Sequence, residues 1–143
     1  MGNRRRSREL AMQALFQIEL DKDNSSETLE LFCKHFRISK KLRSFFFRLV
    51  EGVQESLDEI DSLIGQFSEN WKMSRMSRVD RNVMRIAVYE LLYCEDIPPK
   101  VSINEAIDLS KSYSIPDAKR FINGILDQFK LTLDRPFRTA AKD

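Results

Sequence analysis

The side chains that most often carry out catalysis are scarce in this sequence. It contains one histidine, His35, which lies in a basic tract, and two cysteines, Cys33 and Cys94, which form no CxxC pair. The four glycines are scattered, which excludes a GxGxxG or P-loop phosphate cradle, and no cluster has metal-ligand spacing. A catalytic triad can be assembled from distant residues, but we predict a protein that is not an enzyme and needs no cofactor.

Arginine is the residue type whose placement does indicate a function. Arg4, Arg5, Arg6 and Arg8 precede the first acidic residue and fall at the start of the first predicted helix. Cations there oppose the helix macrodipole, so local stability does not explain them. Phosphates would explain them, because guanidinium groups bind phosphate oxygens in pairs and release counterions. The alternative is a basic arm that only improves solubility.

The other charges are also segregated, although the net charge is only +2. A second basic tract, residues 34–48, contains no carboxylate, and residues 51–69 contain six acids and no base. The basic tract comprises Lys34, Arg37, Lys40, Lys41, Arg43 and Arg48. Such segregation predicts a dipolar surface suited to an anionic partner on one side, and we interpret the acidic run as a solvated helix face.

Hydrophobic spacing and the scarcity of glycine and proline predict an all-α fold. Helices are expected near 5–20, 27–36, 39–67, 103–113 and 115–130, with another after Ser77; Gly52 and Gly65 are candidate bends or ends of the long stretch. Three S-x-x-[DE] capping boxes are predicted to mark helix starts. They pair Ser77 with Asp80, Ser102 with Glu105 and Ser114 with Asp117.

The helix after Ser77 is apolar on nearly every side, which predicts a central, buried helix. Arg78, Arg81 and Arg85 form a narrow stripe along it. Glu90 lies within the apolar coat, where a carboxylate needs a paired base or hydrogen-bond donors.

Two helix faces carry apolar side chains outside their expected core stripe. Met12, Phe16 and Leu20 form a second row on the first helix, which indicates either packing on two sides or a docking surface for a protein. Phe121 lies off the stripe of the last helix, near Arg120 and Gly124 on the solvent side. An exposed ring beside an arginine is suited to stacking on an unpaired base; the alternative is a peripheral core residue.

These segments resemble the NusB family of transcription antitermination factors. The resemblance is carried by RRRSRELAMQALF (4–16), VDRNVMRIAVYELLY (79–93), PKVSINEAIDLSK (99–111) and FINGILD (121–127). It implies an all-α fold of about seven helices in two small packed bundles, with residues 1–143 forming a single RNA-binding domain.

The resemblance also implies partners. Members of this family pair with the ribosomal protein NusE, bind the boxA element of single-stranded nascent RNA, and help RNA polymerase pass terminators in ribosomal RNA operons. By motif position, Arg4, Arg5, Arg6, Arg8, Asp117, Arg120 and Phe121 match RNA-facing positions. Phe16 and Asp80 match positions that meet the protein partner, and we add Met12 from the same apolar row.

Two other functions fit the same residues. The chain could be a NusB-like helical domain that serves ribosomal RNA maturation, or a protein-interaction or dimerisation module; some family members form homodimers. Its first ten residues are polar and no apolar run reaches membrane-spanning length, so we expect a cytoplasmic location and no membrane partner.

Overall fold

The computed structural model describes residues 2–68, 72–116 and 118–133. These residues form seven α-helices and no strand, which confirms the all-α prediction. The helices are α1 (Asn3–Leu20), α2 (Ser25–Phe36), α3 (Lys40–Glu55), α4 (Leu57–Phe67), α5 (Arg78–Tyr93), α6 (Pro99–Tyr113) and α7 (Ala118–Leu133). None of these helices is both long and apolar enough to cross a membrane.

The helices form two small bundles, as expected. In the first, α1 packs on α2 and α3; in the second, α5 packs on α4, α6 and α7. The bundles are joined because α1 and α3 also pack against α5. One continuous apolar core therefore runs through both bundles.

Helix α5 is the central element of this core. The side-chain oxygen of Ser77 accepts a hydrogen bond from the Asp80 backbone N–H at 3.1 Å, so the first predicted helix cap is confirmed. Val83, Met84 and Leu91 are almost fully buried, as are the aliphatic residues between them, and Tyr89 is half-buried. The prediction of a central, buried helix is thus confirmed.

The capping box predicted at Ser102 is wrong. Helix α6 begins at Pro99, four residues before the expected start at Ile103, so Ser102 lies inside the helix. Proline is well suited to the first helical position because its missing N–H would have no partner there. The hydroxyl of Ser102 is buried and donates to the carboxylate of Glu90 at 2.8 Å.

Two other helix boundaries differ from the sequence pattern. The long stretch predicted at 39–67 divides at Ser56, and both Gly52 and Gly65 lie inside helices. The last helix begins at Ala118 rather than at Ile115. Its predicted capping box cannot be compared, because Asp117 lies outside the described residues.

The stripe of arginines on α5 converges on one carboxylate of α1. Glu19 accepts hydrogen bonds from Arg81 at 2.6 Å and Arg85 at 3.1 Å, and lies 3.9 Å from Arg78. Burial opposes its charge, but Arg81, Asn82 and Arg85 together hold the pKa of Glu19 below its ordinary value. Arg85 also forms a bidentate pair with Asp61 on α4 at 2.8 Å, so Asp61 is not merely solvated.

Helix α3 approaches α5 very closely at Gly52. A β-carbon at this position would overlap the ring of Tyr89, whereas a β-carbon at Gly65 would meet no atom within 4 Å. Both positions lie inside helices, but Gly52 is buried and Gly65 is exposed. Helix α3 can therefore lie this close to Tyr89 only because residue 52 has no side chain.

Replacing Gly52 with alanine should lower the free energy of unfolding. Alanine in place of glycine usually stabilises a helix by up to about 1 kcal/mol, but overpacking against Tyr89 should cost about 1–3 kcal/mol. Urea denaturation followed by circular dichroism measures the change. The matched control is Gly65→Ala, which should stabilise the protein; equal effects of the two substitutions would contradict the proposed steric role.

Candidate functional site

Arg8 forms a buried ion pair with Glu90. Its Nε and Nη2 donate to the two carboxylate oxygens at 2.7 and 2.8 Å, and the side chains are 4% and 1% exposed. Burial disfavours the charge of Arg8, but the hydrogen bond and charge of Glu90 outweigh it and raise its pKa. The expectation that Glu90 needs a base is confirmed. The RNA contact expected of Arg8 stays a prediction, and its guanidinium faces the interior.

The other three arginines of the α1 amino terminus are exposed and held by surface carboxylates. Arg4 pairs with Asp96 at 3.0 Å and Arg6 with Glu9 at 3.1 Å. Arg5 is the most extensively paired. Exposed ion pairs of this kind contribute little to stability, so a phosphate could replace the carboxylates at little cost.

Arg5 reaches two acidic residues of α6. Its guanidinium contacts Glu105 at 2.6 Å and Asp108 at 2.9 Å. The hydrogen bond from Arg5 and the charges of Arg5 and Arg8 outweigh burial and hold the pKa of Glu105 below its ordinary value. These acids fix the direction in which Arg5 points. Sequence analysis missed the pairing, because the partners lie about one hundred residues away along the chain.

A surface groove of about 490 Å³ lies beside these arginines. Arg4, Arg5 and Arg8 line one part of it, with Asp96 and Val101 among the residues of the opposite part. Arg48 of α3 also binds Asp96, at 2.7 Å, and together with Arg4 it holds the pKa of Asp96 well below its ordinary range. The groove is thus cationic along α1 and bordered by acids that are already paired.

The aromatic ring of Phe45 contacts two of these arginines, Arg4 and Arg8. The guanidinium of Arg4 lies 4.6 Å from the centre of the ring, and that of Arg8 lies 5.2 Å from it. The electron-rich face of an aromatic ring attracts a cation, so Phe45 helps to hold these guanidinium groups in place. Sequence analysis missed Phe45, because nothing in α3 alone indicates that it meets α1.

The beginning of α7 carries the other predicted RNA-facing residues. Arg120 and Gly124 are exposed, whereas Phe121 is half-buried and packs against the core, so it is a peripheral core residue whose RNA contact stays a prediction. Asp117 lies outside the described residues. Helix α6 packs on both α5 and α7 and binds Arg5 of α1, so it connects the arginines to the helix of Phe121. The convergence of the α1 arginines and Phe121 on one strand of RNA stays a prediction.

An apolar groove of about 740 Å³ runs between α1 and α2. It is lined mainly by apolar and aromatic residues, including Met12, Phe16, Leu20, Leu31, Phe36 and Tyr113. Met12 is buried at its base, Phe16 is half-buried and Leu31 is 66% exposed. The second apolar row of α1 is therefore covered by α2 in part only, and Leu31 and Phe36 extend it in a way that sequence analysis missed.

Tyr113 lies at one end of this groove and also faces the polar side chains of α1. Its hydroxyl donates to Glu9 and accepts from Gln13, both at 3.2 Å. Burial and the charge of Glu9 raise its pKa. Tyr113 therefore links the groove to Glu9, the carboxylate that pairs with Arg6.

Asp80, the third residue predicted to meet a protein partner, is buried at the start of α5. Its backbone N–H is bonded to Ser77, but within the described part of the chain its Oδ1 accepts no hydrogen bond. A buried carboxylate oxygen without a donor costs free energy, and this atom is shielded from solvent. This position stays a predicted contact.

The cysteines are not arranged for chemistry. Cys33 lies two residues from His35 on α2, but burial raises the pKa of its thiol, which is the opposite of activation. Burial, as the largest effect, raises the pKa of the Cys94 thiol to about 11. Among the described residues, no group of histidine, cysteine and acidic side chains could hold a metal ion.

Replacing Glu90 with glutamine should destabilise the protein by about 3–5 kcal/mol, because the buried guanidinium of Arg8 is deprived of its countercharge. Urea denaturation at neutral pH measures the change. The double substitution Arg8→Met with Glu90→Met should recover most of it, since neither buried charge remains.

The matched control for this prediction is Glu30→Gln. Glu30 pairs with Lys34 at 3.8 Å, with both side chains well exposed, so removing this pair should change stability by less than about 1 kcal/mol. Similar destabilisation by the two glutamine variants would show that the Arg8 pair is not a special constraint.

Comparison with known sequences assigns the chain to a family. The NusB family model matches residues 5–130. The transcription antitermination protein NusB of Desulfatibacillum aliphaticivorans is 50% identical over 142 residues, covering 99% of each chain. That of Desulfosudis oleivorans is 47% identical, covering 93% of this chain and 88% of its own length.

Solved structures agree. A crystal form of T. maritima NusB has a TM-score of 0.84 and 38% identity, with 96% of each chain covered. A structure of antitermination factors NusB and NusE in complex with double-stranded RNA has a TM-score of 0.82 and 26% identity, covering 92% of this chain and 98% of that one. These relatives confirm the prediction that the chain is not an enzyme. The chain belongs to the NusB family of transcription antitermination proteins.

Proposed function

We propose that this chain is an RNA-binding adaptor that holds a boxA-type single strand together with the ribosomal protein NusE. In this role it joins the antitermination complex of RNA polymerase and supports transcription of ribosomal RNA operons in the cytoplasm. The whole chain of 143 residues acts as one domain. Support comes from its family and from a relative solved with NusE and RNA.

The observation that carries the RNA-binding proposal is the state of Arg4, Arg5 and Arg6. All three are exposed at the start of one helix, and their carboxylate partners are surface residues. On binding, each guanidinium exchanges a carboxylate oxygen for a phosphate oxygen and releases a counterion from the RNA. The buried pair of Arg8 with Glu90 holds this segment in position.

A second contribution comes from the start of α7. Phe121 packs against the core, which holds its ring in place, and we assign it to stacking on an unpaired base, with Arg120 beside it. Stacking on an aromatic side chain contributes about 1–3 kcal/mol per base. Asp117 is assigned to the same contact by its motif position. No covalent bond forms or breaks.

The protein partner is assigned to the apolar groove of α1 and α2. Met12 and Phe16 form its base and wall, and the exposed Leu31 extends it. Asp80 directly follows Val79, which also lines the groove, and we assign Asp80 to the same contact by its motif position. The same exposed groove is the observation that favours the second candidate, a dimerisation module.

The double variant Arg5→Ala with Arg6→Ala should flatten the salt dependence of RNA binding. Removing one phosphate contact should reduce the log–log slope by about 0.7, so removing two should reduce it by about 1.4. Fluorescence anisotropy of a labelled boxA-type strand, titrated at several salt concentrations, measures the slope. The control is Lys22→Ala with Lys72→Ala, two exposed lysines with no salt bridge in the described residues.

The same titration tests the specificity of the site. A strand of shuffled sequence and a duplex of equal length serve as competitors. Equal affinity for the shuffled strand would refute boxA recognition, and no binding at physiological salt would refute the RNA-binding function itself.

Replacing Phe16 with alanine should weaken binding of NusE at least about tenfold, since a central aromatic contact usually contributes about 2 kcal/mol or more. Isothermal titration calorimetry with purified NusE measures the affinity. Leu131→Ala, at an exposed apolar position on α7, is the control and should have no effect. If Phe16→Ala leaves NusE binding unchanged but abolishes self-association, the groove is a dimer interface instead.

A further inference from the structure

The exposed cations of this protein fall into two groups that differ in how they are paired. Every arginine at the start of α1 has a carboxylate partner. Lys40 and Lys41, at the start of α3, are exposed and form no salt bridge within the described residues. The acids nearest in sequence are Glu30 and Glu51, which lie well outside the first turn of α3.

These lysines lie beside the arginine surface. The hydroxyl of Ser7 donates to the backbone oxygen of Leu42 at 2.9 Å, which joins the first turns of α1 and α3. Lys41 shares a helix face with Phe45 and Arg48, which follow it by four and seven residues. Since Phe45 is the residue over which Arg4 lies, Lys41 is on the side of α3 that faces Arg4.

Local stability does not explain two lysines at this position. Helix α3 begins at Lys40, has no acidic residue in its first turn, and receives no side-chain cap from Ser39. Cations at a helix amino terminus oppose the macrodipole, and adjacent lysines repel each other. A polyanion would remove both penalties. Because these lysines have no internal salt bridge to give up, each phosphate contact there is a net gain of an ion pair.

We propose that the RNA path continues from α1 onto the first turn of α3, where Lys40 and Lys41 bind backbone phosphates of nucleotides flanking those held by Arg4, Arg5 and Arg6. This inference rests on the proposed RNA-binding function and adds a second phosphate track to it. The track carries no base specificity, because ammonium groups contact phosphates as point charges. Its contribution therefore depends on the length of the strand and not on its sequence.

The test uses the full chain and three RNAs: a minimal boxA-type strand, the same strand extended by uridines at its 5′ end, and the same strand extended at its 3′ end. Lys40→Ala with Lys41→Ala should reduce the log–log salt slope for one extended strand by about 1.4, as expected for two phosphate contacts. The variant should bind the minimal strand with the same affinity as the original protein. The matched control is again Lys22→Ala with Lys72→Ala, which removes the same charge elsewhere.

The outcomes separate this inference from the function on which it rests. If Arg5→Ala with Arg6→Ala flattens the slope but the α3 variant binds both extended strands as the original protein does, the second track is refuted and RNA binding stands. Equal effects of the α3 variant and the control refute it as well, because they show a nonspecific charge effect. A weaker affinity for NusE with unchanged affinity for RNA assigns the lysines to a protein contact and overturns the proposal. If the original protein binds none of the strands, both proposals fail.

Discussion

The ion pair between Arg8 and Glu90 is the constraint on which the positions of the surface residues depend. It is almost inaccessible to water, is completed by Ser102, and ties the first turns of α1 to α5 and α6. At the other end of α1, Glu19 accepts hydrogen bonds from the arginines of α5. Since α1 is fixed at both ends by directional charge pairs, it can neither slide nor rotate against α5.

Buried ion pairs of this kind contribute little net stability compared with apolar packing, because both charges must leave water. Their contribution here is geometric. An apolar seam between α1 and α5 would tolerate several registers, but a bidentate pair between Arg8 and Glu90 is satisfied in one. The arginines that precede Arg8 are thereby held on one face, beside the ring of Phe45. The proposed RNA surface thus owes its shape to an ion pair whose side chains are almost fully buried.

Much of this fold follows from local rules that can be applied to the sequence directly. The apolar coat of α5 predicts burial, Ser77 predicts the start of that helix, and Glu90 within the coat predicts a paired base. The rest depends on contacts between distant segments. Ser102 matches a capping box, but the rigid proline at 99 starts the helix earlier and turns the hydroxyl inward to Glu90. The acids that bind Arg5 could not be predicted either, because the spacing of residues along one helix does not show which helices pack beside it.

The position of Tyr113 has a consequence for the electrostatics of the whole surface. Its ring borders the apolar groove, while its hydroxyl contacts Glu9, the partner of Arg6. A large molecule seated in the groove would exclude water from this corner and lower the local dielectric constant. Charges interact more strongly in such a medium, so the attraction between Arg6 and any neighbouring anion would increase without a change in backbone conformation. Occupancy of the apolar groove would then change the electrostatic potential at the arginine surface.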